Sequence, residues 1–203
     1  MGGTIAKYAE DGHKIISVIF TSGESSSPWL KRDIIKEERI NETIKIDEFL
    51  GCGQTIFLGI RDLDMLGGIK HKGVSEFIND EELINKIENI IRKYKPDKIF
   101  THSKLDPHKD HQATNEIVFK ALNNIQNNNI SVFVFEVWNV LNESRPRMYV
   151  DVSKTFNKKI QAMKMFKSQK MFVYALFMQV ILRAIFSGFH NKCRYAERFY
   201  KIR

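Results

Sequence analysis

Spacing of apolar positions divides the chain into segments of two periods. Apolar residues recur at helical spacing over about residues 4–10, 31–50 and 75–93, and short apolar runs of strand length stand at 14–20, 54–58 and 97–101. A helix over 113–122, strands over 131–138 and 147–152, and helices over 154–167 and 169–186 complete the predicted order. Strands alternating with helices in this way predict a mostly parallel sheet flanked by helices, an α/β fold forming a single domain over residues 1–203. A doubly wound chain normally opens on a strand that feeds its first helix, whereas here a helix begins within a few residues of Met1. Gly2 and Gly3 read as a tight strand-to-helix turn whose strand is missing.

Composition sets outer limits on this picture. With 203 residues and 43% hydrophobic content the chain can bury one sizeable core, and nothing marks it as disordered or fibrous. A net charge of +8 favours anionic partners, but the 32 basic and 24 acidic residues read as scattered, which describes a solvated surface. No basic helix with interleaved aromatics appears, so nucleic acid is not an expected partner. Cys52 and Cys193 offer neither a disulfide framework nor paired metal-ligand spacing, which points to a reducing, cytoplasmic setting. The first residues lack the basic start and apolar core of a signal peptide, and Ala6 stands where myristoylation requires Ser or Thr. The apolar stretch 171–189 is interrupted by Gln179 and Arg183 and falls short of about 20 uninterrupted apolar residues, so it reads first as a core helix. Lys164, Lys167 and Lys170 just upstream make a helix lying on a membrane surface the alternative, with peripheral membrane contact as its consequence.

The chemistry concentrates in residues 101–111, where three imidazoles and two carboxylates follow directly on a predicted strand. Ligands of open α/β sheets bind at the carboxyl ends of strands. His108 and His111 are three apart and share one face of a helical turn, so both rings can address one point, and imidazole is the commonest protein ligand of zinc. Asp106 or Asp110 can hold an imidazole's second nitrogen and fix its tautomer. Against this stands a polar loop with Asp110 as a helix cap, and two histidines do not complete a site of three or four ligands. His102, at the strand's end, reads as a packing residue, and His13, His71 and His190 as solvent-facing. The polar stretch 21–25 can donate hydroxyls and amides to a ligand but lacks a Gly-x-Gly-x-x-Gly fingerprint, as does Gly51-Cys52-Gly53. Arg39 and Glu42, three apart on a predicted helix, form an exposed ion pair or point into the crevice.

Taken in order, these residues resemble the LmbE/PIG-L family. The resemblance rests on Gly2-Gly3-Thr4-Ile5-Ala6, Ile19-Phe20-Thr21-Ser22-Gly23-Glu24, Arg39-x-x-Glu42, Phe57-Leu58-Gly59 with Arg61-Asp62, and Asp106-x-His108-x-Asp110-His111. It continues through Val150-Asp151-Val152-Ser153, Ser168-Gln169 and Tyr195-Ala196-Glu197-Arg198-Phe199. It implies a Rossmann-like fold and a zinc-dependent deacetylase acting on a small amino-sugar conjugate, an N-acetylglucosamine joined to a lipid, inositol or another aglycone. By position, His111 resembles the zinc-binding histidine, His108 the group that polarises the substrate carbonyl or protonates the leaving amine, and Asp110 the carboxylate that orients His108. Arg39 and Asp62 resemble substrate-binding positions. Family members carry an Ala-His-Pro-Asp-Asp-Glu segment before Gly-Gly-Thr that supplies two more zinc ligands and the aspartate that activates water. This chain starts after it. The expectation is therefore a truncated sequence that is inactive as it stands, with a catalytically degenerate sugar- or partner-binding module of the same fold as the alternative.

Overall fold

A computed structural model describes residues 1–21, 32–60, 73–125, 129–137 and 144–203. Its elements run α1 Gly2–Glu10, β1 Ile16–Thr21, α2 Arg32–Leu50, β2 Gln54–Ile60, α3 Glu81–Tyr94, β3 Lys98–His102, α4 Lys109–Ile125, β4 Ser131–Phe135, β5 Arg147–Asp151, α5 Phe156–Met165, α6 Lys170–His190 and β6 Ala196–Lys201. β1 and β2 form a two-stranded parallel sheet, and a four-stranded sheet has the order β3-β4-β6-β5. The class is α/β, as the alternation predicts. By its internal contacts the chain divides into two compact units, residues 1–68 with 149–198 and residues 69–148 with 199–203.

In the first unit, α1, α2 and α5 bury Ala6, Ile46, Leu50 and Ala162 together, with Ile5, Phe49, Met165 and Phe166 packed around them. β1 and β2 pair in register from Ile16 opposite Gln54 to Ile19 opposite Phe57, after which the register slips and Thr21 lies opposite Ile60. Gly59 takes a left-handed φ of +74° at that slip, a conformation open to glycine at little cost, so the extra residue is absorbed as a bulge. Gly2 and Gly3, read from the sequence as a turn, are instead the first turn of α1. The amides of Gly3 and Thr4 donate to the Glu197 carboxylate at 3.3 and 2.7 Å, so a distant carboxylate satisfies helix donors that lack intrahelical partners.

In the second unit, β3 and β4 are parallel from Lys98 opposite Ser131 to His102 opposite Phe135. The end of β6 runs antiparallel to β4, with Val134 opposite Tyr200 and Phe135 opposite Phe199. The sheet is therefore mixed rather than wholly parallel, and β6 is a strand that hydrophobic spacing did not predict. Its letters, Ala-Glu-Arg-Phe-Tyr-Lys, look exposed because two charges interrupt them, yet Ala196, Glu197, Phe199 and Tyr200 are all buried. The predicted helix 75–93 is split into a 3-10 turn over Gly73–Phe77 and α3, because Asp80 caps α3 by accepting from the Leu83 amide at 2.9 Å. α3 turns Leu83, Ile84, Ile87 and Ile91 inward. α4 begins at Lys109, four residues earlier than predicted, and so takes His111 into its first turn.

Candidate active site

β3 delivers the chain to His102, and a tight turn closed by the Asp106 amide on the Ser103 carbonyl at 3.1 Å leads into α4. Three further bonds fix this turn. The Ser103 hydroxyl accepts from the Leu105 amide, the Gln112 side chain donates to the Asp106 carbonyl at 2.7 Å, and the buried Asn115 donates to the His102 carbonyl at 2.8 Å. The result is a rigid platform at a strand's carboxyl end carrying His102, Asp106, His108, Asp110 and His111.

Asp106 is fully buried. Its Oδ1 accepts from the His108 amide and from His111 Nδ1, both at 2.9 Å, while Oδ2 is buried without a hydrogen-bond partner among the described residues. A carboxylate that accepts from Nδ1 puts the proton there, so the lone pair of His111 lies on Nε2. His108 has the opposite arrangement. Its Nδ1 accepts from the Asp110 amide at 3.2 Å, which leaves the ring proton on Nε2. Here an imidazole caps the first turn of α4, a role the sequence offered to Asp110, whose carboxylate instead accepts from the Val74 amide at 2.8 Å.

The three rings are layered. His102 lies flat on His111, with centroids 3.8 Å apart and planes 1° apart, and His108 follows at 4.7 Å. Phe135 covers His102 at 5.0 Å. Burial disfavours charge on such a stack: it drives the His102 pKa down to about 3, with His111 and His108 adding to the effect. His111 is also lowered, again first by burial, although Asp106 pulls the other way. Both are neutral at pH 7.

The predicted site residues are thus partly gathered. His108, Asp110 and His111 come together in the second unit, with Asp106 as the partner of His111 that the sequence left undecided between two aspartates. Arg39 is half-buried on α2 in the first unit. Its neighbour Glu42 binds the Ser168 amide at 3.0 Å and hydroxyl at 2.6 Å, tying α2 to the turn before α6. Asp62, with Arg61, Ser22 to Ser25 and His71, lies outside the described residues. His13 and His190 are exposed, and both cysteines are free thiols.

Glu197, given by the sequence only as part of a motif and without a role, is buried and bonded to Lys159 as well as to the start of α1. Burial alone would raise its pKa, but Lys159 and the amide and ammonium bonds outweigh it and hold the carboxyl well below the usual carboxylate range. Asp151 similarly accepts from the Ser153 amide and hydroxyl, and Thr155 donates to the Gly3 carbonyl at 2.8 Å. The motifs at 2–6, 150–153 and 195–199 are therefore joined as a frame.

Zinc takes three or four protein ligands. Among the described residues no three His, Cys, Asp or Glu side chains converge on one point, so these residues alone do not fit the ion, although His111 Nε2 has the character of one ligand.

A family model described as PIG-L, GlcNAc-PI de-N-acetylase, matches residues 1–122. No curated protein matches the chain. Among solved structures, the 4-carboxy-2-hydroxymuconate hydratase GalB of Pseudomonas putida KT2440 superposes with a TM-score of 0.81 at 20% identity, covering 100% of this chain and 89% of that one. The N,N'-diacetylchitobiose deacetylase of Pyrococcus horikoshii superposes at 0.73 and 21% identity, covering 100% and 78%. A zinc-inhibited form of a teicoplanin deacetylase superposes at 0.72 and 16% identity, covering 99% and 91%. At these identities the structural likeness is one of fold.

Proposed function

We propose that this chain, which belongs to the PIG-L family of GlcNAc-PI de-N-acetylases, is built for hydrolysis of an acetamide on an N-acetylglucosamine-containing conjugate. The observation that carries this reading is the opposed hydrogen bonding of two neighbouring imidazoles, His108 Nδ1 taking the Asp110 amide and His111 Nδ1 facing the Asp106 carboxylate. His108 Nε2–H is a donor suited to an acetamide carbonyl oxygen, and strengthens its hold as that oxygen gains charge in the transition state. His111, with Nδ1–H held by Asp106, keeps an unprotonated Nε2 beside it. Arg39 and Asp62 are proposed to contact the sugar.

Zinc is the metal that the family resemblance calls for, where it would supply Lewis acidity, and His111 is the proposed ligand. The described residues offer no complete set for it. The remaining ligands and the carboxylate that takes the water's proton are proposed to come from a His-Pro-Asp-Asp segment that these 203 residues do not contain. Two of the named structural neighbours are deacetylases and one is a hydratase, so the fold by itself leaves the reaction open. The test is acetate release from N-acetylglucosamine conjugates with added zinc. The 203-residue protein is expected to give none, and a version carrying the segment on an amino-terminal strand is expected to turn over and to lose activity on His111→Ala. Robust turnover by the shorter form would contradict the reading.

That the described residues hold no complete metal set is the basis of a second reading, a sugar- or partner-binding module of the same fold. Calorimetry with an amino-sugar conjugate separates the two: binding by both forms with turnover by neither selects the module.

A further inference from the structure

α6 and the residues around it are unlike the rest of the chain. Between Asp151 and Glu197 there is no acidic residue at all, while nine of the 32 basic residues fall there. The remainder of the sequence is close to neutral, so the positive excess that reads as scattered along the whole chain belongs to this one stretch. The exposed charges stand at its two ends: Lys154, Lys164, Lys167 and Lys170 before or at the start of α6, Lys192 and Arg194 after it.

Between those ends the helix is apolar on two faces, with Gln179 and Arg183 the polar exceptions. One side packs inward, with Val173, Ala184, Ser187 and Gly188 buried. The other presents Tyr174, Met178, Leu182, Ile185, Phe186 and Phe189, which are 45–83% exposed. Their spacing of three and four residues aligns them as one continuous stripe. Sequence analysis favoured a core helix here, yet only 22% of residues 173–190 are buried, and a stripe of this size left in water is not the habit of a globular surface. Residues 173–190, with a mean hydropathy of 1.4, are apolar enough in composition to cross a bilayer. The inward face is nevertheless committed to the protein: at Gly188 the carbonyls of Cys193 and Arg194 approach to within 2.7 Å of where a side chain would begin. A helix held along one side in this way can lie in an interface but not thread through it.

We propose that the outer face of α6 docks onto an anionic lipid bilayer, with Phe186, Phe189, Met178 and Leu182 entering the acyl boundary and the flanking lysines and arginine contacting acidic headgroups. Apolar insertion and electrostatic attraction from the same helix are the two terms that hold an interfacial helix. Charge selects this occupant over a second copy of the chain, because an interface between copies would bring the same basic ends close together with no acidic residue of this stretch to offset them.

The inference is independent of the hydrolase reading, since it is tested without turnover. The 203-residue protein is sedimented with vesicles of phosphatidylcholine alone or mixed equally with phosphatidylglycerol. Binding to the anionic vesicles is expected, with little to the neutral ones. Phe186→Glu combined with Phe189→Glu is expected to lower partitioning by about tenfold or more. Lys167→Glu with Lys170→Glu, two exposed lysines whose change spares the fold, is expected to lower it as well, and so is raising the salt. No binding to anionic vesicles, or binding unmoved by either variant pair, overturns the proposal. So does a dimer in sedimentation equilibrium that the Phe variants dissociate while vesicles bind neither form, which assigns the stripe to a second copy.

Discussion

At the scale of single residues, one buried carboxylate decides how the candidate site is arranged. Asp106 holds both the His108 amide and His111 Nδ1, so its loss unpairs two donors at once. Asp106→Ala is expected to cost about 2–3 kcal/mol in urea unfolding, the range for hydrogen bonds to a buried charge, and to free His111 to turn. His102 carries the pH signature. Its pKa is depressed to about 3 against an ordinary value of 6.5, so the folded state holds it neutral while the unfolded chain takes up a proton. Its contribution to stability is therefore complete above about pH 6.5 and is lost progressively as pH falls toward 3; a carbon-13 titration of the ring is expected to find it unprotonated at pH 5. Glu197 acts in a lower window. With its folded pKa held below the ordinary 4.5, it stabilises above that pH and the contribution fades on further acidification, so Glu197→Gln is expected to flatten the acid limb of a stability-pH curve and to cost about 3–5 kcal/mol at pH 7 by leaving Lys159 without its buried partner.

At the scale of elements, helix ends set the architecture. Asp80→Ala is expected to cost about 1 kcal/mol, since α3 loses the side-chain cap on its Leu83 amide. Gly188→Ala is expected to cost more, because the new methyl group meets backbone carbonyls at 2.7 Å and must push α6 away from the turn that follows it; a drop in melting temperature larger than that of Asp80→Ala checks this. The same ends explain what was legible in the sequence. Helices and strands with regular apolar spacing, such as α2, β2 and β4, fell near their predicted positions. α4 began early because His108 and Asp106 cap it through contacts that spacing does not encode, and β6 was invisible because Glu197 is buried among partners far away in sequence. The histidine motif was legible as chemistry, but which aspartate serves which ring depends on the turn that β3 and α4 impose. α6 was legible as apolar; that half of it faces outward follows only from how its inner side is packed.

At the scale of the whole molecule, a PIG-L chain presents a hydrogen-bonded pair of imidazoles in one unit and, in the other, a cross-braced amino-terminal frame and a helix with an exposed apolar face. The 203-residue protein is expected to retain less than one zinc per chain after dialysis, as read by elemental analysis, because the described residues gather no group of three ligands and His111 alone does not hold the ion against water. The roles proposed for His108 and His111 both depend on their opposed tautomers. Long-range proton–nitrogen correlation of the imidazole rings at pH 7 reads them directly. The account requires His111 protonated on Nδ1 and His108 on Nε2; the same tautomer in both rings, or two charged rings, contradicts it.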